Sequence, residues 1–311
     1  MKRLVLGTRG SALALAQVVL TRAALAGAWP EMEVSEQVFV TRGDKKLDLS
    51  LLRAGEAGGK GLFTRELEDA LLAGTIDVAV HSLKDLPGHN PPGLAVTAVL
   101  ERASTADVLI AKSVSDFDAL PPGARIGTSS VRRARQLQWL RPDLEIEEWR
   151  GNVPTRLRKL AEREDVAGIV LAQAGLDRLG CDFSDGKFRV ISLRDRMLPA
   201  IGQGAIALQS RADRADVSAV LAAINHAPTF TCIRAEREVQ RLLAGDCALP
   251  VGVRSELYGA TLQLRGILFG PPKTPPAEAE VTGSANDPET VARELFARLN
   301  PDFHPPPDTR R

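Results

Sequence analysis

Aromatic residues are scarce in this 311-residue chain: nine phenylalanines, three tryptophans and one tyrosine make up 4% of it. Single-stranded nucleic acid is bound largely by stacking on such rings, so the shortage counts against that function. The three cysteines, Cys181, Cys232 and Cys247, form no C-x-x-C pair and leave one over. That pattern argues against a disulfide framework and fits a reducing compartment. No run approaches the roughly 20 apolar residues that a membrane span requires. The opening K-R-L-V-L-G lacks the apolar core of a signal peptide. A soluble, cytoplasmic protein is expected.

Net charge is also lacking. Lys and Arg number 40 against 39 Asp and Glu, a formal +1, which argues against a general polyanion binder but leaves room for a local basic site. A magnesium-phosphate loop is absent: residues 41–60 are polar and glycine-rich, yet Lys60 precedes Gly61 instead of Ser or Thr. A formal G-x-G-x-x-A at Gly202, Gly204 and Ala207 comes before an apolar run, not after a strand. Dinucleotide binding is therefore rejected, and residues 205–208 are read as a strand returning the chain to its first unit.

What remains is ordinary globular composition, 44% hydrophobic and 25% charged, long enough for two or three domains. The chain is organised around residues 76–87, I-D-V-A-V-H-S-L-K-D-L-P. Residues 76–80 suit a buried strand, and Pro87, Gly88, Pro91 and Pro92 stop a helix from following. His81, Ser82, Lys84 and Asp85 therefore fall just past a strand, where open α/β sheets place ligands. The plainer alternative is a turn with Lys84 and Asp85 solvated.

Strand residues 4–6, a glycine turn and a helix capped by Ser11 make an anion site at a helix N-terminus, with Arg9 beside it. Further strands are expected at 36–40, 94–99, 124–127, 144–149 and 168–171, and helices at 62–73, after Thr128-Ser129-Ser130, after Asn152, and ending near Gly180. Residues 102–107 read as a crossover into a second unit. Arginines gather in first helical turns and at strand ends, where the helix dipole does not favour them, so an anionic ligand is inferred. Arg135, Arg141 and Arg158 are expected on solvated helix faces. Nucleic acid is a competing ligand for residues 125–158, but Asp143, Glu145, Glu147 and Glu148 interrupt the basic run.

After Pro228 the composition shifts. A helix over 230–244, a turn containing Cys247, strands at 257–260 and 262–269, a proline loop at 271–276 and a helix over 288–299 capped by Asp287 are expected. The tail 304–311 reads as disordered. Cys247, on a loop, is either a reactive thiol or an unremarkable exposed one.

The stretches G-T-R-G-S-A-L-A-L-A-Q (7–17), G-G-K-G-L-F-T-R-E-L-E (58–68), H-S-L-K-D-L-P (81–87), G-T-S-S-V-R-R-A-R-Q-L (127–137), R-G-N-V-P-T-R-L-R-K-L (150–160), L-A-Q-A-G-L-D-R-L-G (171–180), L-P-A-I-G-Q-G-A (198–205) and G-D-C-A-L-P-V-G (245–252) resemble the porphobilinogen deaminase (hydroxymethylbilane synthase) family, in family order. The resemblance implies an α/β protein of three domains. Two are lobes like those of periplasmic binding proteins, residues 1–101 with 197–224, and 102–196. The third, 225–311, is a smaller α/β domain carrying the cofactor cysteine.

It also implies the stepwise head-to-tail condensation of four porphobilinogen molecules into hydroxymethylbilane, with loss of ammonia, primed on a dipyrromethane cofactor held by a thioether to Cys247. Loss of ammonia leaves an azafulvenium cation, and a carboxylate, by motif Asp85, stabilises it. By motif position Ser82, Lys84, Asp85, Thr128, Ser129, Ser130, Arg132 and Arg133 serve the cofactor. Arg9, Ser11, Gln17, Phe63, Arg150, Arg156, Arg178 and Gln203 serve the substrate, guanidinium forks being suited to its acetate and propionate groups. Phe63 and the preceding loop match an active-site lid. No metal, nucleic acid or membrane partner is implied. A monomer is expected, with transient contact to the next enzyme of the pathway. Gly10, Ala12 and Gln209 depart from the commoner pattern, and the loop at 41–60 is longer than in some members.

Overall fold

The structure, a computed structural model, describes residues 2–41, 64–243, 250–271 and 273–300. The chain begins with β1 (Arg3–Arg9), α1 (Ala12–Ala28), β2 (Glu33–Phe39), α2 (Arg65–Leu72), β3 (Val78–Ser82) and β4 (Leu94–Val99). It crosses into β5 (Asp107–Ala111), β6 (Arg125–Gly127), α3 (Val131–Leu140), β7 (Glu145–Glu147), α4 (Val153–Glu162), β8 (Gly168–Ala172), α5 (Gln173–Arg178) and β9 (Arg189–Ser192). It returns through β10 (Ile206–Arg211) to α6 (Ala215–Ala222), then runs through α7 (Ala227–Leu242), β11 (Val251–Tyr258), β12 (Thr261–Leu268), β13 (Ala277–Ser284) and α8 (Pro288–Leu299).

Two five-stranded sheets have the same winding. Their orders are β2-β1-β3-β10-β4 and β7-β6-β8-β5-β9. In each, the fourth position holds the single antiparallel strand. That strand is contributed by a crossover: β5 as the chain leaves the first lobe, β10 as it comes back. The crossovers touch, with Ala103 N donating to Gly204 O at 3.2 Å and Leu100 N to Ile206 O at 3.3 Å. The expected return strand is therefore present as β10. Helices cover both faces of such sheets, so the inner strands β3 and β5 carry the continuous apolar stretches Val78–Val80 and Val108–Ala111.

Each lobe has its own core. Leu4, Leu6, Val18, Val78, Val80, Leu208 and Leu221 fill the first, and Leu109, Ile126, Leu137 and Val170 lie in the second. The C-terminal unit is the antiparallel meander β11-β12-β13, whose apolar face packs on α7 and α8 through Val239, Val253, Leu264 and Leu295. No helix among the described residues is long and apolar enough to cross a membrane.

Several expectations need correction. The strand expected at 257–260 runs instead over Val251–Tyr258, and Gly259, at φ +60°, with Ala260 forms the hairpin turn. α7 starts at Ala227, three residues early, because Pro228 fits a first helical turn. β7 is shorter than expected, and β2 starts earlier. β5, β9, α6 and β13 were not foreseen. Residues 62 and 63, all but the first residue of the 41–60 loop, and the 304–311 tail lie outside the described residues.

Candidate active site

β1 and β3 are parallel neighbours, so their C-terminal ends lie side by side. β3 ends at Ser82 and passes into a single 3-10 turn over Leu83–Asp85. Leu83 and Leu86 are buried and pin the turn at both sides, which leaves Asp85 facing solvent between them. Arg9, at the end of β1, places Nη1 3.9 Å from Asp85 Oδ2. A pair this long and open contributes under about 1 kcal/mol, so it orients the carboxylate without consuming it. Ser11 caps α1, its Oγ accepting from Ala14 N at 3.2 Å; Gly10 and Ala12 do not prevent the cap. Gln17 is buried, and its Nε2 donates to Ser82 Oγ at 2.7 Å. It acts on the site through Ser82.

The other lobe supplies the facing wall. Asp107, buried at the start of β5, accepts from Arg132 Nη1 at 2.7 Å, from Arg133 Nε at 2.9 Å and from Gln203 Nε2 at 2.9 Å. Burial opposes ionisation of Asp107, but the two guanidinium groups outweigh it and hold the carboxyl far below its usual range. Arg132 also donates to Leu198 O at 2.7 Å, and Arg133 to Val170 O at 3.0 Å. Ser130 caps α3 by accepting from Arg133 N at 3.4 Å. Thr128 Oγ1 accepts from Ser130 N, and Ser129 Oγ donates to Trp149 O. These hydroxyls shape the turn that aims the arginines.

Lys84 joins the two walls. The residue is half-buried, and its pKa is held down at about 8. Burial is the main cause and Arg133 the next, while Asp85 and Asp107 pull it back up. The ammonium of one lobe thus lies in the field of the guanidinium pair of the other. Arg156 shows the same surplus. Burial, then Arg133 and Arg150, push it down to about 10, and its Nε donates to Gly151 O at 2.7 Å. Arg150 Nε meets Glu148 at 2.6 Å. Arg178 donates to Gly204 O at 2.7 Å.

A dipyrromethane carries four carboxylates, two acetates and two propionates, and the cleft fits such a group. Arg132 and Arg133 share a single protein carboxylate, Asp107. Among the described residues, the buried atoms Arg132 Nε, Arg178 Nε and Gln203 Oε1 have no hydrogen-bond partner. Polar atoms left in this state are costly unless a ligand or water meets them.

Cys247 and Phe63 lie outside the described residues. The last turns of α7 pack on the segment that follows Asp85. Gln240 Nε2 donates to Leu86 O at 3.3 Å, and a Cβ on Gly88 would stand 3.1 Å from Gln240 Cγ. Sequence reading missed Asp107, treated only as the end of a crossover, and the Arg102–Glu236 pair described below. An acid opening an otherwise apolar run was the available signal for Asp107. The arginine reading is also revised. Arg135 reaches Gly270 O and Pro271 O and lies over the Phe269 ring, and Arg141 is tied to Asp143 and Leu120 O; Arg158 does sit on a solvated face.

Residues 4–219 match the family profile described as porphobilinogen deaminase, dipyromethane cofactor binding domain. Residues 230–300 match porphobilinogen deaminase, C-terminal domain. A porphobilinogen deaminase of Methylobacillus flagellatus is 42% identical over 96% of this chain and 94% of its own. Another from Syntrophus aciditrophicus is 44% identical over 94% of each. Among solved structures, the periplasmic aliphatic sulphonate binding protein SsuA of Escherichia coli aligns with a TM-score of 0.40 at 14% identity, covering 78% of this chain and 71% of that one. With a cofactor-binding profile over both lobes and full-length relatives above 40% identity, the chain belongs to the porphobilinogen deaminase family, enzymes of tetrapyrrole biosynthesis that carry a dipyrromethane cofactor.

Proposed function

We propose that this chain condenses porphobilinogen with Asp85 as its catalytic carboxylate, in a cleft between lobes formed by residues 1–101 with 197–224 and by 102–196. The observation that carries the reading is the exposed Asp85 at the end of β3, with Arg9 Nη1 3.9 Å away, together with the Arg132–Arg133 pair fixed on Asp107 in the other lobe. The bound dipyrromethane supplies the pyrrole to which substrate units are joined. Cys247, on the 225–311 domain, is its thioether anchor. Arg132, Arg133 and Lys84 pair with its carboxylates, and Ser82, Thr128, Ser129 and Ser130 add hydrogen bonds or fix the turns that present those groups.

Asp85 is oriented by Arg9 yet open to solvent, so it is free to face the substrate. Positive charge develops on porphobilinogen as ammonia departs, and a fixed carboxylate stabilises it and accepts the proton released when the pyrrole rearomatises. Arg9, Arg150, Arg156 and Arg178 hold the substrate's acetate and propionate groups. Ser11 and Gln17 act from α1, Gln203 holds Asp107, and Phe63 covers the site. The protein works as a cytoplasmic monomer that contacts the next enzyme of the pathway transiently.

Intact-mass measurement tests the anchor. The purified protein should exceed its sequence mass by one dipyrromethane, and Cys247→Ser should remove the increment. Asp85→Asn should keep the increment while kcat falls by roughly 10²-fold or more. Near-normal turnover in Asp85→Asn would assign the charge to another group.

A further inference from the structure

Behind the Asp85 turn runs a line of buried polar side chains that the reading above does not use. His81, on β3, is 4% exposed, and its Nε2 lies 3.1 Å from Gln209 Oε1 on β10. An amide oxygen only accepts, so in this pair Nε2 carries the proton. Gln209 is fully buried. Glu68 of α2, also buried, lies near it, with Thr64 alongside.

The two titratable groups of this line shift in opposite directions, each toward its neutral form. Burial raises the Glu68 carboxyl and Asp69 adds to the rise, while Gln209 and Thr64 offset part of it. Burial lowers His81 to about 4; Gln209 opposes this, and the cations Arg9 and Arg237 deepen it. The charged or titratable groups that face His81 are thus Arg9 from β1 and Arg237 from α7, with Glu68 one side chain further off across Gln209. Arg9 is the group that orients Asp85.

We propose that Gln209 is a positioning residue: burial and the cations Arg9 and Arg237 leave His81 uncharged, an amide at position 209 brings no negative charge to overturn that balance, and the charge at position 209 thereby sets how turnover depends on pH. A carboxylate there would pair with the imidazole and raise its pKa by about 1 to 3 units. The imidazolium so formed would repel Arg9, the group that orients Asp85. The consequence for turnover rests on the Asp85 reading above; the consequence for His81 does not.

The test uses cofactor-loaded enzyme and two readouts: the imidazole titration of His81 by NMR, assigned with His81→Asn, and kcat and KM for porphobilinogen against pH. Two variants place a carboxylate at 209. Gln209→Glu adds one; the exchange Glu68→Gln with Gln209→Glu keeps one acid and one amide in the same space, so it tests the idea even where the single variant fails to fold. In the exchange variant the His81 midpoint should rise by about 1 to 3 units. Its kcat near pH 6 should fall by about threefold or more relative to pH 8, with KM unchanged. Gln209→Met, which removes the acceptor without adding charge, should not move the acid limb upward. An unmoved His81 in the exchange variant overturns the proposal. So does an acid limb that moves equally in Gln209→Met. A shifted His81 with an unchanged pH profile overturns the link to turnover and points back at the role given to Asp85.

Discussion

Lys84 shows how much of this site is decided by single groups. A lysine at the end of a strand reads as a solvated cation, and its ordinary pKa of 10.5 would keep it charged throughout. Here burial and the Arg133 guanidinium hold it at about 8. Because the folded value lies below the unfolded one, charged Lys84 costs stability below about pH 8. That cost is relieved as pH rises from about 8 toward 10.5. Cofactor-free protein, prepared as Cys247→Ser, should therefore gain thermal stability between about pH 8 and about pH 10. Adding Lys84→Met should remove that gain, and equal gains with and without Lys84 would place the source elsewhere. Carboxylates bound in the cleft would give Lys84 partners and flatten the slope. Asp107 is the complementary case: a buried acid already satisfied by two arginines and Gln203, which therefore positions the arginines without titrating near neutrality.

At the scale of elements, the return segment before β10 presses directly on the Leu83–Asp85 turn. Gly202 has φ +71°, and a Cβ there would stand 2.0 Å from Leu83 Cδ2 and 3.1 Å from Lys84 N. Left-handed backbone and the close approach both demand glycine. Gly202→Ala should cost about 1–3 kcal/mol in denaturant unfolding and lower kcat, since the Leu83–Asp85 turn must move. Gly27→Ala, in α1 with nothing within 4 Å of the added carbon, is the control and should be neutral or stabilising by about 0.5–1 kcal/mol. Equal losses in both would show that the contact at Leu83 does not matter. Elements with clear local signals were legible in the sequence: caps at Ser11, Ser130 and Asp287, and the apolar runs of β3, β8 and β10. β5 was not, because it opens with an acid, a residue depleted in strands, and follows a polar crossover. β13 was missed because A-E-A-E-V-T-G-S alternates weakly and follows a proline loop.

For the whole molecule, one buried carboxylate ties the crossovers to the C-terminal unit. Glu236 on α7, fully buried, accepts from Arg102 at 2.6 and 3.0 Å, from Gly202 N at 2.7 Å and from Ser255 Oγ. Glu236→Gln keeps the shape but leaves Arg102 uncompensated, which should cost about 3–5 kcal/mol. The C-terminal unit should also become cleavable at lower protease concentration, and an unchanged unfolding midpoint would show that the tie is not structural. The sequence by itself determined the βα pattern of both units, the return strand and the strand end that carries Asp85, because apolar runs, caps and turn residues act within a few positions of themselves. Only the tertiary structure decided what the arginines do. Arg132 and Arg133 meet an acid 25 and 26 residues away, Arg135 reaches the proline loop, and Arg102 meets Glu236 across 134 residues. A charge is satisfied by whichever partner the folded chain brings within a few ångströms, and no local pattern records which partner that is.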